Sequence, residues 1–163
     1  MNPQRSDNTG KTLTDIQLRL AQETDMRWLY ESFKRTMQLY IQKTWGWDEL
    51  LQHHSFHDNL PARSFIIASV AGGDVGALNL REKTDHLWLE MLLVPPEHQG
   101  QGIGRHLLEY AQDMARRVNK PLRLSVLKLN PAQEFYRHMG FTAAEEDRWS
   151  LRMLWRPPQH GEQ

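Results

Sequence analysis

The sequence predicts a mixed α/β (α+β) fold with the element order β-α-α-β-β-β-α-β-α-β-β, in one domain over residues 13–156. Three observations carry that reading. Short apolar runs alternate with period two, as half-buried strands do. One long segment repeats with the period of a helix. Gly, Pro and Asn punctuate the boundaries between the segments. A chain of 163 residues is long enough to bury a real core in one such domain.

Taken in order, residues 1–12 are polar without apolar periodicity and are expected to form a flexible leader. Ile16, Leu18 and Leu20 alternate as a first strand. Residues 25–43 read as helix, in one or two pieces, broken at Trp45-Gly46-Trp47, with a short helix expected at 48–54. Residues 65–70 and 75–81 pair as a hairpin across Ala71-Gly72-Gly73-Asp74, a favourable turn sequence. The strand 87–94 is stopped by Pro95-Pro96. The clearest helix follows, with Leu107, Leu108, Ala111, Met114, Ala115 and Val118 on one stripe and Glu109, Gln112, Asp113, Arg116 and Arg117 opposite. Leu122, Leu124 and Val126 make a further strand. A short helix is then framed by Asn130 as N-cap, Pro131 in the first turn, Gln133 in a capping-box-like position, and Gly140 at its end. Residues 141–145 and 148–154 form a last hairpin, and 157–163 a tail.

Composition narrows the function classes. Twenty basic and twenty acidic residues cancel, so no charge footprint argues for nucleic acid or an anionic membrane as partner. No apolar run approaches a membrane span and no signal pattern opens the chain, so a cytoplasmic protein is the expectation. The absence of cysteine removes disulfides, thiolate catalysis and zinc-thiolate sites. His53, His54, His57 and Asp58 invite a metal reading, but the segment is polar and lacks the glutamate of H-E-x-x-H. They are read as surface residues, with no metal expected. No G-x-S-x-G is present to support a serine-hydrolase elbow.

Residues 94–108, VPPEHQGQGIGRHLL, carry the chemistry. Glycines at 100, 102 and 104 stand between a strand and a helix. They let backbone N–H groups at a positively polarised helix start approach a phosphate or pyrophosphate. A dinucleotide fingerprint is excluded because Arg105 stands where its third glycine belongs, and a nucleotide-triphosphate loop because no G-K-S or G-K-T occurs. What fits is Q-x-x-G-x-G, with Gln99, Gly102 and Gly104, preceded by Leu92 and Val94. Further on come Asn130-Pro131-Ala132, Phe135-Tyr136 and Met139-Gly140-Phe141.

These two motifs, in this order, resemble the signature of the GNAT (GCN5-related N-acetyltransferase) superfamily, and the resemblance spans residues 16–155. It implies the GNAT fold, a mixed, mostly antiparallel twisted sheet flanked by helices. It also implies acetyl-CoA as co-substrate and a small-molecule or peptide amine as acceptor, with a homodimer as a common arrangement. The implied cofactor-binding residues are Leu92, Leu93 and Val94 along the pantetheine arm, and Gln99, Gly100, Gln101, Gly102, Ile103, Gly104 and Arg105 at the pyrophosphate. Asn130, Ala132 and Tyr136 complete that set. For Arg105 a solvated helix arginine is an equal reading.

Tyr136 is the candidate general acid, since the family places a tyrosine here beside the sulfur and a phenol can hand a proton to a thiolate. The alternative is a core aromatic. Glu90 is the candidate general base: an amine of pKa near 10.4 is free base in only about one molecule in a few thousand at pH 7. On an unbulged strand Glu90 shares a face with Trp88, Leu92 and Val94, and partial desolvation there would favour its protonated form. A solvent-facing glutamate is the alternative. Trp45 and Trp47, beside Asp48 and Glu49, could hold a cationic acceptor with Trp88, or plug the helices onto the sheet. Met37 and Tyr40 fall at the helical spacing of a core stripe. The function expected is transfer of an acetyl group to a primary amine by direct attack in a ternary complex. The competing class is a non-catalytic acyl-CoA sensor or partner subunit.

Overall fold

Strand alternation and one strongly amphipathic helix build a sheet with helices on both faces, described here from a computed structural model. It describes residues 15–159. The expected leader, 1–12, and the last four residues of the expected tail lie outside them. Seven strands run in the order β1-β2-β3-β4-β5-β7-β6. They are β1 (Ile16–Leu20), β2 (Phe65–Val70), β3 (Gly73–Glu82), β4 (Leu87–Leu93), β5 (Leu122–Leu127), β6 (Thr142–Glu146) and β7 (Ser150–Trp155). Every neighbouring pair is antiparallel except β4 and β5.

Helices α1 (Met26–Trp45) and α2 (Glu49–Asn59) cover one face, and α3 (Ile103–Val118) with α4 (Ala132–His138) the other. α1 is one continuous helix ending at Gly46. Its entry is fixed by Arg19, whose guanidinium bonds Asp25 at 2.8 Å and Asp74 at 3.1 Å, tying β1, the helix start and β3. α2 runs five residues past the expected end at His54. It has no apolar stripe to announce that length. One side chain anchors it, Phe56, packed against Tyr30, Phe33 and Phe65 with ring centroids 5.3–5.7 Å apart.

The β2–β3 turn is tighter than the four residues expected. Only Ala71 and Gly72 intervene, both with positive φ (51° and 81°), the mirror-image turn that matches strand twist. α3 buries Ile103, Leu107, Leu108, Ala111 and Ala115. Gln112, read from its position as polar-face, is also buried, and its Nε2 donates to the Met139 carbonyl at 2.8 Å. That bond ties α3 to the end of α4.

α3 can approach the sheet because β3 offers no side chain at Gly76. A Cβ there would stand 2.9 Å from Ile103 Cγ2, 3.1 Å from the Leu93 oxygen and 3.2 Å from Leu107 Cδ1. Gly76→Ala must therefore push α3 off its seat, and overpacking of this kind costs about 1–3 kcal/mol. Thermal unfolding of the variant should show a midpoint about 3–10 °C lower than the parent; an unchanged midpoint would mean the helix does not rest there.

Candidate active site

The two parallel strands do not stay together. β4 and β5 pair at Leu87↔Leu122, Trp88↔Arg123 and Leu89↔Leu124, and then part. The cause lies on the other side of β4. There Leu80 faces Leu89 and Asn79 faces Met91, so Glu90 is an extra residue without a partner on β3. Such a bulge bends the strand that carries it. β5 stays straight because β7 pairs with it along its whole length. Past the parting point each strand turns an unpaired backbone edge toward the other, able to receive an extended ligand as a strand would.

The resulting cleft encloses about 530 Å³. Thr36, Met37 and Tyr40 of α1 wall one side, and the start of α3 with Phe135 and Tyr136 of α4 closes the other. The loop between β4 and α3 is shaped by its own contacts. Gln99 Nε2 donates to the Val94 carbonyl at 2.9 Å, and Gly100 and Gly102 take φ of 77° and 82°, a conformation side chains resist. Gly102 is the N-cap of α3, so the first turn of a long helix opens into the cleft with its N–H groups unclaimed by earlier carbonyls. At Gly104 a Cβ would meet Phe135 Cζ and Val94 Cγ2 only at 3.7 Å. The fold tolerates a side chain there; the bare backbone serves whatever approaches from the cleft.

The expected site residues fall into two groups. Glu90, Leu92, Val94, Gln99, Gly100, Gly102, Ile103, Gly104, Arg105, Asn130, Ala132 and Tyr136 all line the cleft. Leu93, Gln101, Trp45, Trp47 and Trp88 do not. Leu93 is fully buried beneath α1, though its backbone lies on the strand. Arg105 Nε bonds Glu109 at 2.9 Å along the helix surface. Asn130 stands one residue before the observed N-cap of α4, Pro131, and its Oδ1 accepts from the Ala132 N–H at 2.9 Å in a local turn that leads into the helix. Gln133 does not complete a capping box: its amide donates instead to the Lys128 carbonyl at 2.9 Å.

Tyr136 is buried, and burial pushes its phenol well above the ordinary range. Its hydroxyl has no hydrogen-bond partner among the described residues. Glu90 differs from the expectation, for it is exposed on the bulge rather than enclosed between Trp88 and Leu92. The Trp88 indole N–H donates to its carboxylate and so fixes its direction. Trp45 is 60% exposed. Trp47 packs on Phe33 with centroids 6.0 Å apart, and its indole donates to Glu49 Oε2 at 2.7 Å. Glu49 also receives the Tyr30 hydroxyl and the Lys34 ammonium, each at 3.0 Å. Trp47 thus packs on the α1–α2 core, with Glu49 on the exposed rim holding its indole. His53 and His57 stack on each other at 4.2 Å on the surface of α2. Among the described residues no three His, Cys, Asp or Glu side chains group to hold a metal.

Sequence reasoning did not find Thr36, Met37 and Tyr40 as cleft walls, nor Ser125 on its floor. It also missed Arg35, which reaches from α1 to Glu97 at the start of the glycine loop. Two bonds join them, at 2.8 and 2.5 Å, in fork-to-fork geometry. Two residues on, Met37 Sδ touches Asn130 Nδ2 at 3.9 Å. α1 is thereby pinned to both lips of the cleft. The guanidinium holds the Glu97 carboxyl down to about 2 from its usual 4.5. A carboxyl depressed on folding contributes stability above its unfolded value, lost as pH falls through about 2. Carboxyl NMR titration should therefore find Glu97 near that low midpoint, and Arg35→Ala should return it to the ordinary range of about 4–4.5. A Glu97 midpoint indifferent to Arg35 would contradict the clamp.

Comparison with known proteins agrees with this geometry. A family model described as an acetyltransferase (GNAT) domain matches residues 61–143. A streptothricin acetyltransferase of Streptomyces lavendulae is 36% identical over 88 residues, which are 52% of this chain and 47% of that protein. The match thus spans about half the length of that curated relative. The PaiA N-acetyltransferase of Thermoplasma acidophilum, solved with coenzyme A, superposes with a TM-score of 0.72 at 20% identity, over 86% of this chain and 98% of that one. The ribosomal-protein-S18-alanine N-acetyltransferase of Escherichia coli gives 0.70 at 22%, over 90% and 97%. At those identities the likeness is one of fold. The matched segment, however, runs from the entry of β2 through both halves of the cleft into β6, half of the chain, and by it the protein belongs to the GNAT acetyltransferase family.

Proposed function

We propose that the protein transfers an acetyl group from acetyl-CoA to a primary amine by direct attack in a ternary complex. The observation that carries this reading is the parted β4–β5 pair, whose open backbone edges lead from the α3 N-terminus to Tyr136. The cleft fits the co-substrate. Gly102, Ile103, Gly104 and Arg105 present helix-start N–H groups suited to a pyrophosphate, with Gln99, Gly100 and Gln101 shaping the approach. The backbone of Leu92, Leu93 and Val94 suits the amides of the pantetheine arm, and Asn130 and Ala132 stand on the facing lip. When bound, acetyl-CoA supplies an activated acyl group as a thioester.

The chain's own groups then have proton work to do. Glu90, aimed by Trp88 and open to solvent, takes a proton from the acceptor ammonium and passes it to water. Tyr136, kept protonated by its burial, gives its proton to the departing sulfur. α1 and the Arg35–Glu97 clamp hold the reacting groups together over the strands. The acceptor is a small molecule or peptide bearing an amine. The streptothricin acetyltransferase match makes a streptothricin-like amine one member of the panel to test.

Thiol release from acetyl-CoA, measured across polyamines, amino acids, peptides and streptothricin, tests the reading. Turnover is expected on one acceptor class. Tyr136→Phe should then lower kcat about 100-fold with KM for acetyl-CoA within a factor of about three, and Glu90→Gln should lower kcat at neutral pH and flatten its rise with pH. Coenzyme A binding without turnover on any amine would replace the enzyme with a sensor.

A further inference from the structure

Where β4 and β5 part, the next residue on each strand stands at the mouth of the gap. The last paired positions are Leu89 and Leu124. One step on stand Glu90 and Ser125. Leu122, Leu124 and Val126 of β5 pack into the core beneath α3, so alternation turns Arg123 and Ser125 to the opposite face. Trp88 pairs with Arg123 on that face, and its indole bond brings Glu90 there too. Ser125 is exposed, lines the cleft, and its hydroxyl has no hydrogen-bond partner among the described residues. With Arg123 it is one of the two polar side chains that β5 turns to this exposed face, and the one that borders the cleft.

We infer that Ser125 is a second catalytic contact to the acceptor nitrogen, forming with Glu90 a two-point site that selects primary over secondary amines. The inference rests on the acetyl-transfer reading above. Once the acceptor ammonium has given one proton to Glu90, the neutral amine keeps two N–H groups and one lone pair. Turning the N–H groups to Glu90 and to Ser125 Oγ leaves the lone pair facing the thioester carbon. The C–N bond forms, the C–S bond breaks, and the sulfur takes the Tyr136 proton. The nitrogen then sheds one of its two remaining protons to Glu90, which has by then passed the first to solvent, and Tyr136 regains its proton from water. One proton is released overall. A secondary amine keeps a single N–H after the first loss, so it leaves one of the two points facing a carbon.

The test uses the full chain, the primary amine of the panel that turns over fastest, and the N-methyl derivative of that amine. The parent should prefer the primary amine in kcat/KM. Ser125→Ala should lose about 5–10-fold on the primary amine, the worth of one hydrogen bond, and lose little on the N-methyl amine, so the preference shrinks by that factor. KM for acetyl-CoA and the thermal midpoint should stay at parent values, and Ser125→Thr, which keeps a hydroxyl, should recover part of the preference. Equal losses on both amines, or no loss on either, would overturn the role of Ser125. A parent that turns over no amine at all would defeat the acetyl-transfer reading instead.

Discussion

A single surplus residue in β4 is the constraint on which the rest depends. Glu90 has no partner on β3, β4 bends at it, and the parallel ladder to β5 ends at Leu89 and Leu124. Backbone groups left without partners are costly when buried and useful when a ligand can reach them. Here the cost is contained because β5 is paired to β7 along its whole length and β4 to β3 on both sides of Glu90. The sheet thus stays continuous at one end and opens at the other. The same residue that opens it carries the carboxylate at the opening, so the distortion and the proposed chemistry share one position.

Around that opening the packing is asymmetric. Beneath it, α3 sits tightly because Gly76 leaves room, which fixes where the glycine loop and the helix start must lie. Above it, α1 seats Leu29, Tyr30, Phe33 and Ile41 in the second core and meets the cleft lips through the half-exposed Arg35–Glu97 pair and the Met37–Asn130 contact. Exposed ion pairs contribute little to stability, typically under about 1 kcal/mol. Their value lies in geometry: both lips of the cleft are referred to the same helix.

The parts of this arrangement that were legible in the sequence are those written in local chemistry. The α3 stripe, the glycine loop and the Asn130 turn at the entry of α4 each depend on residues close in the chain, and the apolar pattern located all seven strands within about two residues. What stayed hidden depends on distant partners. The Trp88-Glu90-Leu92 alternation reads as a regular strand, and only the register against β3 reveals the extra residue. Met37 and Tyr40 carry the apolar spacing of a core stripe, which is the same whether protein or ligand covers it. The inward turn of Trp47 needs Glu49 to be held by Tyr30 and Lys34, far back on α1. Gln112 looks like any polar-face residue until Met139 presents its carbonyl.

The central claim is that the parted strands receive coenzyme A along their open edges, and amide hydrogen exchange with and without coenzyme A tests it most directly. Binding should slow exchange at residues 92–94, at 102–105 in the first turn of α3, and at Asn130 and Ala132, while the outer strands β1 and β6 exchange as before. Those amides exchanging at the same rate with saturating coenzyme A, or protection confined to another face of the sheet, would contradict it.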